Sequence, residues 1–271
     1  MVDKKGERLI PTGRFPVNKN KILNFKSYKI SCDKCRLNSV CIAAGLNTKE
    51  LHELDRIVER PAPLHCGKHI YRQSDSFNNL YVIRSGSVKN YTDTRSGTEH
   101  VLGFTLPGEM LTLEVLASGS YSSSAIALET TSLCKLSFEV FESLCQRIPR
   151  LQKNLFNIAA MEIAAVRNLQ LLMSQRSSEE RLAVFLFNLS AHREKFGYSG
   201  NSLYLSMARH DIANYLGLAC ETVSRIFTKF SSDGILEVRK RYIQIKDYSR
   251  LLAVANASDL DLIQTRMGKS A

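Results

Sequence analysis

The sequence predicts an α+β chain: an N-terminal antiparallel β-barrel or jelly roll, one long helix, and a C-terminal winged helix-turn-helix. Three observations carry this prediction. Between residues 64 and 137, short apolar runs alternate with turn dipeptides at regular intervals. From Pro149 onward, apolar residues recur at 4-3 spacing. Two short helical patterns then meet at Gly217 and lead into a hairpin with a basic tip.

The chain has 271 residues, room for about two domains. Apolar residues make up 44%, enough for ordinary cores. No run approaches about eighteen uncharged apolar residues, so no membrane span is expected. Residues 1–30 are polar and basic, unlike a secretory signal, so the expectation is a globular cytoplasmic protein. The net charge of +11 is uneven. Residues 1–31 hold eight Lys/Arg against two acids, 32–174 fifteen against fourteen, and 175–271 fourteen against ten. Basic ends fit a nucleic acid partner, although solubilising tails share the same composition.

In order, residues 1–30, with Gly6, Pro11, Gly13 and Pro16, read as a flexible basic leader. A cysteine segment occupies 31–45. The barrel domain spans 46–148 and opens with a helix at about 47–58, where Asn47 and Glu50 have capping-box spacing. Strands are expected at Leu80–Arg84, Ser87–Thr92, His100–Leu106 and Leu133–Leu136. No crossover helix fits between them, which excludes a parallel α/β sheet.

The helix of 149–174 carries Leu151, Leu155, Ile158, Glu162, Ala165, Leu169 and Leu172 in a coiled-coil seam. The six apolar members are the expected dimer contacts; a helix that merely covers its own barrel is the alternative. The domain of 175–252 starts with a helix capped by Ser177 and Glu180. The tail of 253–271 is polar and shows no chemistry.

His210–Leu216 and Cys220–Ser231 are the paired short helices. In the second, Val223, Ile226, Phe227 and Phe230 give an inward face, while Glu221, Ser224 and Arg225 share another. A guanidinium can bond twice to guanine, a carboxylate can accept from cytosine, and a hydroxyl can meet base or phosphate. Arg239, Lys240 and Arg241 form the tip of the wing, suited to phosphate contacts. A solvated Glu–Arg pair on a helix surface is the bland alternative for the first group.

Seven cysteines in a chain of this kind call for a role other than disulfides. Cys32, Cys35 and Cys41 crowd into ten residues and point to one inorganic centre with soft ligands, iron–sulfur or zinc. Zinc sites usually bring two close pairs, and this segment has one pair plus a third cysteine. On residues alone, Cys66, Cys134, Cys145 and Cys220 all compete to be the fourth ligand. No Ser/His/Asp set, phosphate-cradling glycine loop or paired acids indicate an enzyme.

The stretches CDKCRLNSVC, LYVIRSGSVKNY, GFTLPGE, ALETTSLCKL and DIANYLGLACETVSR resemble the fumarate and nitrate reduction regulator family, an oxygen-responsive branch of the cyclic-AMP receptor protein superfamily. The resemblance covers roughly residues 30–250. It implies a barrel of the cyclic-nucleotide-binding type and a [4Fe-4S] cluster on Cys32, Cys35, Cys41 and Cys134. It also implies a homodimer through the long helix, reading an inverted repeat of a TTGAT-like half-site with Glu221, Ser224 and Arg225. RNA polymerase is an implied partner, with Asp93–Glu99 the matching loop. Cyclic-nucleotide-binding relatives place an arginine after the Gly-Glu pair; here Gly108-Glu109 is followed by Ser122-Ser123-Ser124-Ala125-Ile126, so no cyclic nucleotide is expected. A cyclic-nucleotide-responsive regulator, or a zinc-stabilised DNA binder without oxygen sensing, is the alternative. Four departures stand out: Ala219 lacks a capping hydroxyl, Cys220 precedes the reading Glu, Arg36 adjoins a ligand cysteine, and Val166 replaces an acid on the dimer helix. With no acid at 166, the dimer is expected to depend less on the cluster.

Overall fold

The computed structural model describes residues 30–94, 97–111, 113 and 119–255. The expected leader before Ile30 and the tail beyond Ala255 lie outside the described residues. A 3-10 turn at Cys32–Lys34 opens the described chain. Helix α1 (Thr48–Ile57) follows with the expected capping box: the Asn47 side chain accepts from Glu50 N–H, and the Glu50 carboxylate accepts from Asn47 N–H.

Strands β1 (His69–Tyr71), β2 (Asn79–Ser85), β3 (Val88–Asp93), β4 (Glu99–Thr105), β5 (Ser124–Ala127) and β6 (Ser132–Ser137) form two antiparallel sheets, ordered β1-β5-β3-β4 and β2-β6. Ile83, Val88, Ala125 and Leu133 are buried together with Tyr71 and Tyr121, whose rings stack at 3.7 Å. The architecture is therefore a jelly-roll-like pair of sheets. Gly86 turns β2 into β3 at φ +83°, where a Cβ would lie 2.7 Å from the Thr130 carbonyl. β1 and β5 were not anticipated because each is short and lacks strict alternation.

Helix α2 (Phe138–Arg147), also unanticipated, buries Phe141, Leu144 and Cys145. Helix α3 (Pro149–Gln175) starts with Pro at its first position, where no donor is lost. The structure redistributes the expected seam. Leu151 is buried in the core beneath the cysteine segment, and Leu155 and Ile158 pack against that core. Leu172 is buried in the C-terminal core, with Leu169 packed at its edge. Of the six expected contacts only Ala165 belongs to neither core, and it is half-buried. The reason is geometric: the 4-3 stripe faces the protomer's own domains at both ends of the helix. Phe156, Ile163, Val166 and Leu171 are instead exposed, at 64%, 64%, 63% and 39%. Alone among the described helices, α3 is long and apolar enough by composition to cross a membrane, a property the reading of the sequence had not credited to it.

Helix α4 (Ser178–Lys195) carries the expected Ser177/Glu180 capping box. Strand β7 (Ser202–Tyr204), helices α5 (Arg209–Tyr215) and α6 (Cys220–Ser232), strands β8 (Leu236–Arg239) and β9 (Tyr242–Ile245), and helix α7 (Tyr248–Val254) complete the chain, with sheet order β7-β9-β8.

The roll docks on this C-terminal unit. Val101 and Phe104 of β4 join its core, and the Phe104 ring meets Phe185 and Tyr215 at 6.0 and 5.4 Å. The Asn214 side chain accepts from Val101 N–H and donates to the Glu99 carbonyl. Lys89 on β3, only 11% exposed, reaches Glu99 at 2.7 Å and Asp211 on α5 at 2.9 Å. Burial opposes its charge, but the two carboxylates outweigh that and hold its pKa above the ordinary lysine value. Replacing Lys89 by Met is expected to destabilise the folded chain by about 3 kcal/mol, since Asp211 would remain buried without its cation. Urea unfolding of K89M against the unaltered chain checks this.

Candidate cysteine centre and nucleic-acid interface

The cysteine segment is a series of tight turns. Cys35 N–H donates to the Cys32 carbonyl, Cys41 N–H to Leu37, and Ala44 N–H to Cys41. Ile42 and Ala43 are 4% and 2% exposed and enter the core against α3. The Asn154 side-chain amide donates to the Ile42 carbonyl at 2.8 Å and the Ala44 carbonyl at 2.9 Å. Arg150 donates to the Gly45 carbonyl at 2.6 Å. The segment is thus bound directly to the first turns of α3.

Cys134 lies on β6, paired with Val82. It is in electrostatic range of Cys32, Cys35 and Cys41, so the structure brings these four cysteines into one neighbourhood. The others stand apart from it: Cys66 is exposed and donates to the Leu128 carbonyl, Cys145 is buried on α2, and Cys220 packs on the C-terminal core. Burial pushes the Cys32 thiol up to about 12 and the Cys41 thiol up to about 11. Burial also raises Cys134, against the lowering effect of Arg60 and Arg84. The thiols are therefore neutral by themselves, and ligand formation must release their protons.

Sequence reasoning missed the polar frame around Cys32. Asp55 of α1 accepts from Cys32 N–H at 2.8 Å and from Arg60 at 2.5 Å, and Arg60 reaches Cys32 Sγ at 3.3 Å. Burial works against the Asp55 charge, yet these donors hold its carboxyl below the usual range. Nothing in the spacing of Asp55, Arg60 and Cys32 marks this contact, which is made only through space.

The donor set is all sulfur, half-buried, with Arg60 and Arg84 placed to offset thiolate charge at Cys134. Among the described residues no three Cys, His, Asp or Glu side chains are gathered as the ligand set of one metal ion. A single zinc holds each thiolate at about 2.3 Å. A four-iron cluster has a separate iron for each of its cysteines, so its ligands stand farther apart. An all-sulfur donor set suits a soft metal ion or an iron–sulfur group.

In the C-terminal unit, Gly217 makes the turn between α5 and α6 at φ +61°. Val223, Ile226, Phe227 and Phe230 are buried, leaving Glu221, Ser224 and Arg225 exposed on the opposite side of α6. Among the described residues Glu221 and Arg225 form no ion pair, so both side chains are available to a ligand. The Ser224 hydroxyl donates to the Cys220 carbonyl. On the wing, Arg239 pairs with Glu237 at 2.5 Å, and Arg241 donates to the Ser206 carbonyl at 3.1 Å. Lys240 turns the hairpin at φ +57° and is exposed. In the Asp93–Glu99 loop, Arg95 and Ser96 lie outside the described residues, and Glu99 is held by Lys89 and Asn214.

The two-sheet roll, long helix and winged helix-turn-helix define a transcription regulator of the Crp/Fnr type. A cyclic nucleotide-binding domain model matches residues 62–148, and a Crp-like helix-turn-helix domain model matches 180–254. The chain belongs to the family of FNR and Anr transcription regulators. It is 40% identical to the transcriptional activator protein Anr of Pseudomonas protegens, over 84% of this chain and 93% of that protein. It is 38% identical to the fumarate and nitrate reduction regulatory protein of Escherichia coli K12, over 83% and 90%. Among solved structures, FixK2 from Bradyrhizobium japonicum aligns with TM-score 0.67 and 25% identity, over 73% of this chain and 97% of that one. The relatives are transcription regulators by name, and the chain carries the helix-turn-helix domain of such a regulator.

Two outcomes are expected. Ala219 is the N-cap of α6 and offers no side-chain bond, so Ala219→Ser should add about 1 kcal/mol of stability, read as a raised melting temperature. Asn154→Ala strands two carbonyls and should lower stability by about 2 kcal/mol in denaturant titration.

Proposed function

We propose that this chain is an oxygen-responsive transcription regulator that holds a [4Fe-4S] cluster, dimerises and binds a TTGAT-like inverted repeat. The observation that carries the reading is the meeting of Cys32, Cys35, Cys41 and Cys134 beside the start of α3. These residues would hold the group, which when bound supplies an oxygen-labile iron–sulfur centre. Ile42 and Asn154 then transmit the order of the segment to α3. Phe156, Ile163, Val166 and Leu171 are the apolar surface that a second copy would cover. That surface replaces the seam expected from spacing.

Dimerisation would set two α6 helices about one DNA turn apart. Glu221, Ser224 and Arg225 would then read base edges, and Lys240, with Arg239 and Arg241, would contact phosphates. RNA polymerase would meet the Asp93–Glu99 loop, whose Glu99 is also engaged by Lys89 and Asn214. The working compartment is the cytoplasm.

A cyclic nucleotide in the roll is the second reading, favoured by the domain match and by the buried Ser123 hydroxyl, which has no hydrogen-bond partner. Against it, the Ser122–Ile126 stretch offers no cation to a buried phosphate.

Protein purified without oxygen should be brown and contain about four irons and four acid-labile sulfides per chain. Colourless protein with about one zinc would sink the sensor reading and leave the DNA reading intact. Cys134→Ser should lose the iron, while Cys66→Ser should keep it. Ile163→Glu should shift the iron-loaded protein from dimer toward monomer in sedentation-free sizing by light scattering. Glu221→Ala should lose about 1–3 kcal/mol of discrimination at one base pair, whereas Lys240→Ala should weaken all sequences alike and reduce the salt slope by about 1. Binding to mutated half-sites across a salt series separates the two.

A further inference from the structure

A cavity of about 500 Å³ lies where the cysteine segment, the roll and the DNA-reading unit meet. Lys34 and Arg36 of the cysteine segment, Arg84 of β2, and Arg193 of α4 bring positive charge to its wall. The acid on the wall is Glu129, whose carboxylate accepts from the Ser87 hydroxyl at 2.8 Å. Arg193 is spoken for, donating to the Ser199 carbonyl and lying 5.5 Å from the Tyr198 ring. Lys34, Arg36 and half-buried Arg84 have no carboxylate within ion-pair distance among the described residues. Three cations facing one space repel each other, and a planar guanidinium is suited to a phosphate oxygen pair. Phe196, Tyr198 and Tyr204 also line it. The volume is that of an ordinary small-molecule site.

We propose that this cavity binds a small organic phosphate bearing a ring, the chemistry of a nucleotide. The phosphate sits on Arg84, Arg36 and Lys34, and the ring lies among Phe196, Tyr198 and Tyr204. This site is not the interior of the roll, where Ser123 lies; Cys35 stands on its wall between Lys34 and Arg36, so it borders the cysteine centre. A ligand here touches the cysteine segment and the DNA-reading unit together. It therefore favours the arrangement in which they are in contact, and links its own binding to the position of α6. The basic leader is a poor occupant, because its charge has the same sign as the cavity wall.

The test is calorimetric titration of the full chain with GMP, AMP, ribose 5-phosphate and pyrophosphate. The expected result is saturable binding of a nucleoside monophosphate, about tenfold tighter than pyrophosphate, the ring adding a stacking contribution. Arg84→Gln with Arg36→Gln should weaken it about tenfold or more. Tyr204→Ala, at a residue 63% exposed and so free of a folding role, should remove the advantage over pyrophosphate. Ser123→Ala should leave binding unchanged. The proposal is overturned if no probe saturates below about 1 mM. It is equally overturned if binding survives the double arginine variant but is lost in Ser123→Ala, or if pyrophosphate binds as tightly as the nucleotides.

Discussion

The insertion of Ile42 and Ala43 into the core against α3 is the constraint on which the rest of the molecule depends. Two small turns carry the cysteines, and neither has a core of its own. The plug that follows Cys41 fixes the segment, and the Asn154 amide closes it by satisfying two carbonyls that burial would otherwise leave unpaired. Cys134 arrives from β6 on the other side of the same core. The thiols are therefore neighbours because of apolar packing, and the frame of Asp55 and Arg60 then sets their electrical surroundings.

A second contact joins the roll to the C-terminal unit. The roll and the DNA-reading unit share one apolar core through Val101 and Phe104, and polar groups key its register: Lys89 with Asp211, Asn214 with β4, and Ser87 with Ser206 at 2.6 Å. Asp211 also accepts from Ala208 N–H at the start of α5, so the residue that meets the roll is the one that caps the helix before the reading helix. None of these contacts covers the exposed face of α6. Docking on the roll therefore leaves that face open.

Much of this was legible in the residues. Asn47 with Glu50 and Ser177 with Glu180 announced helix starts because a capping box is local chemistry, complete within four residues. The exposed polar face of α6 was legible for the same reason: Val223, Ile226, Phe227 and Phe230 settle which side is buried, and the exposure of Glu221, Ser224 and Arg225 follows from the helical period. On α3, periodicity shows that a stripe will be buried but not by what. Leu151 and Leu172 went to the chain's own cores, and the exposed stripe begins at Phe156.

By itself the sequence determined the element order, the helix caps, the exposed polar face of α6 and the close cysteine trio, all of which rest on interactions between residues a few positions apart. Tertiary structure brought Cys134 beside that trio, where the family resemblance had pointed, and it alone decided which face of α3 stays open and that Lys89 meets Asp211 across 122 positions of chain. Each of these depends on where two distant surfaces come to rest, and packing volume and desolvation settle that only once the chain has closed on itself.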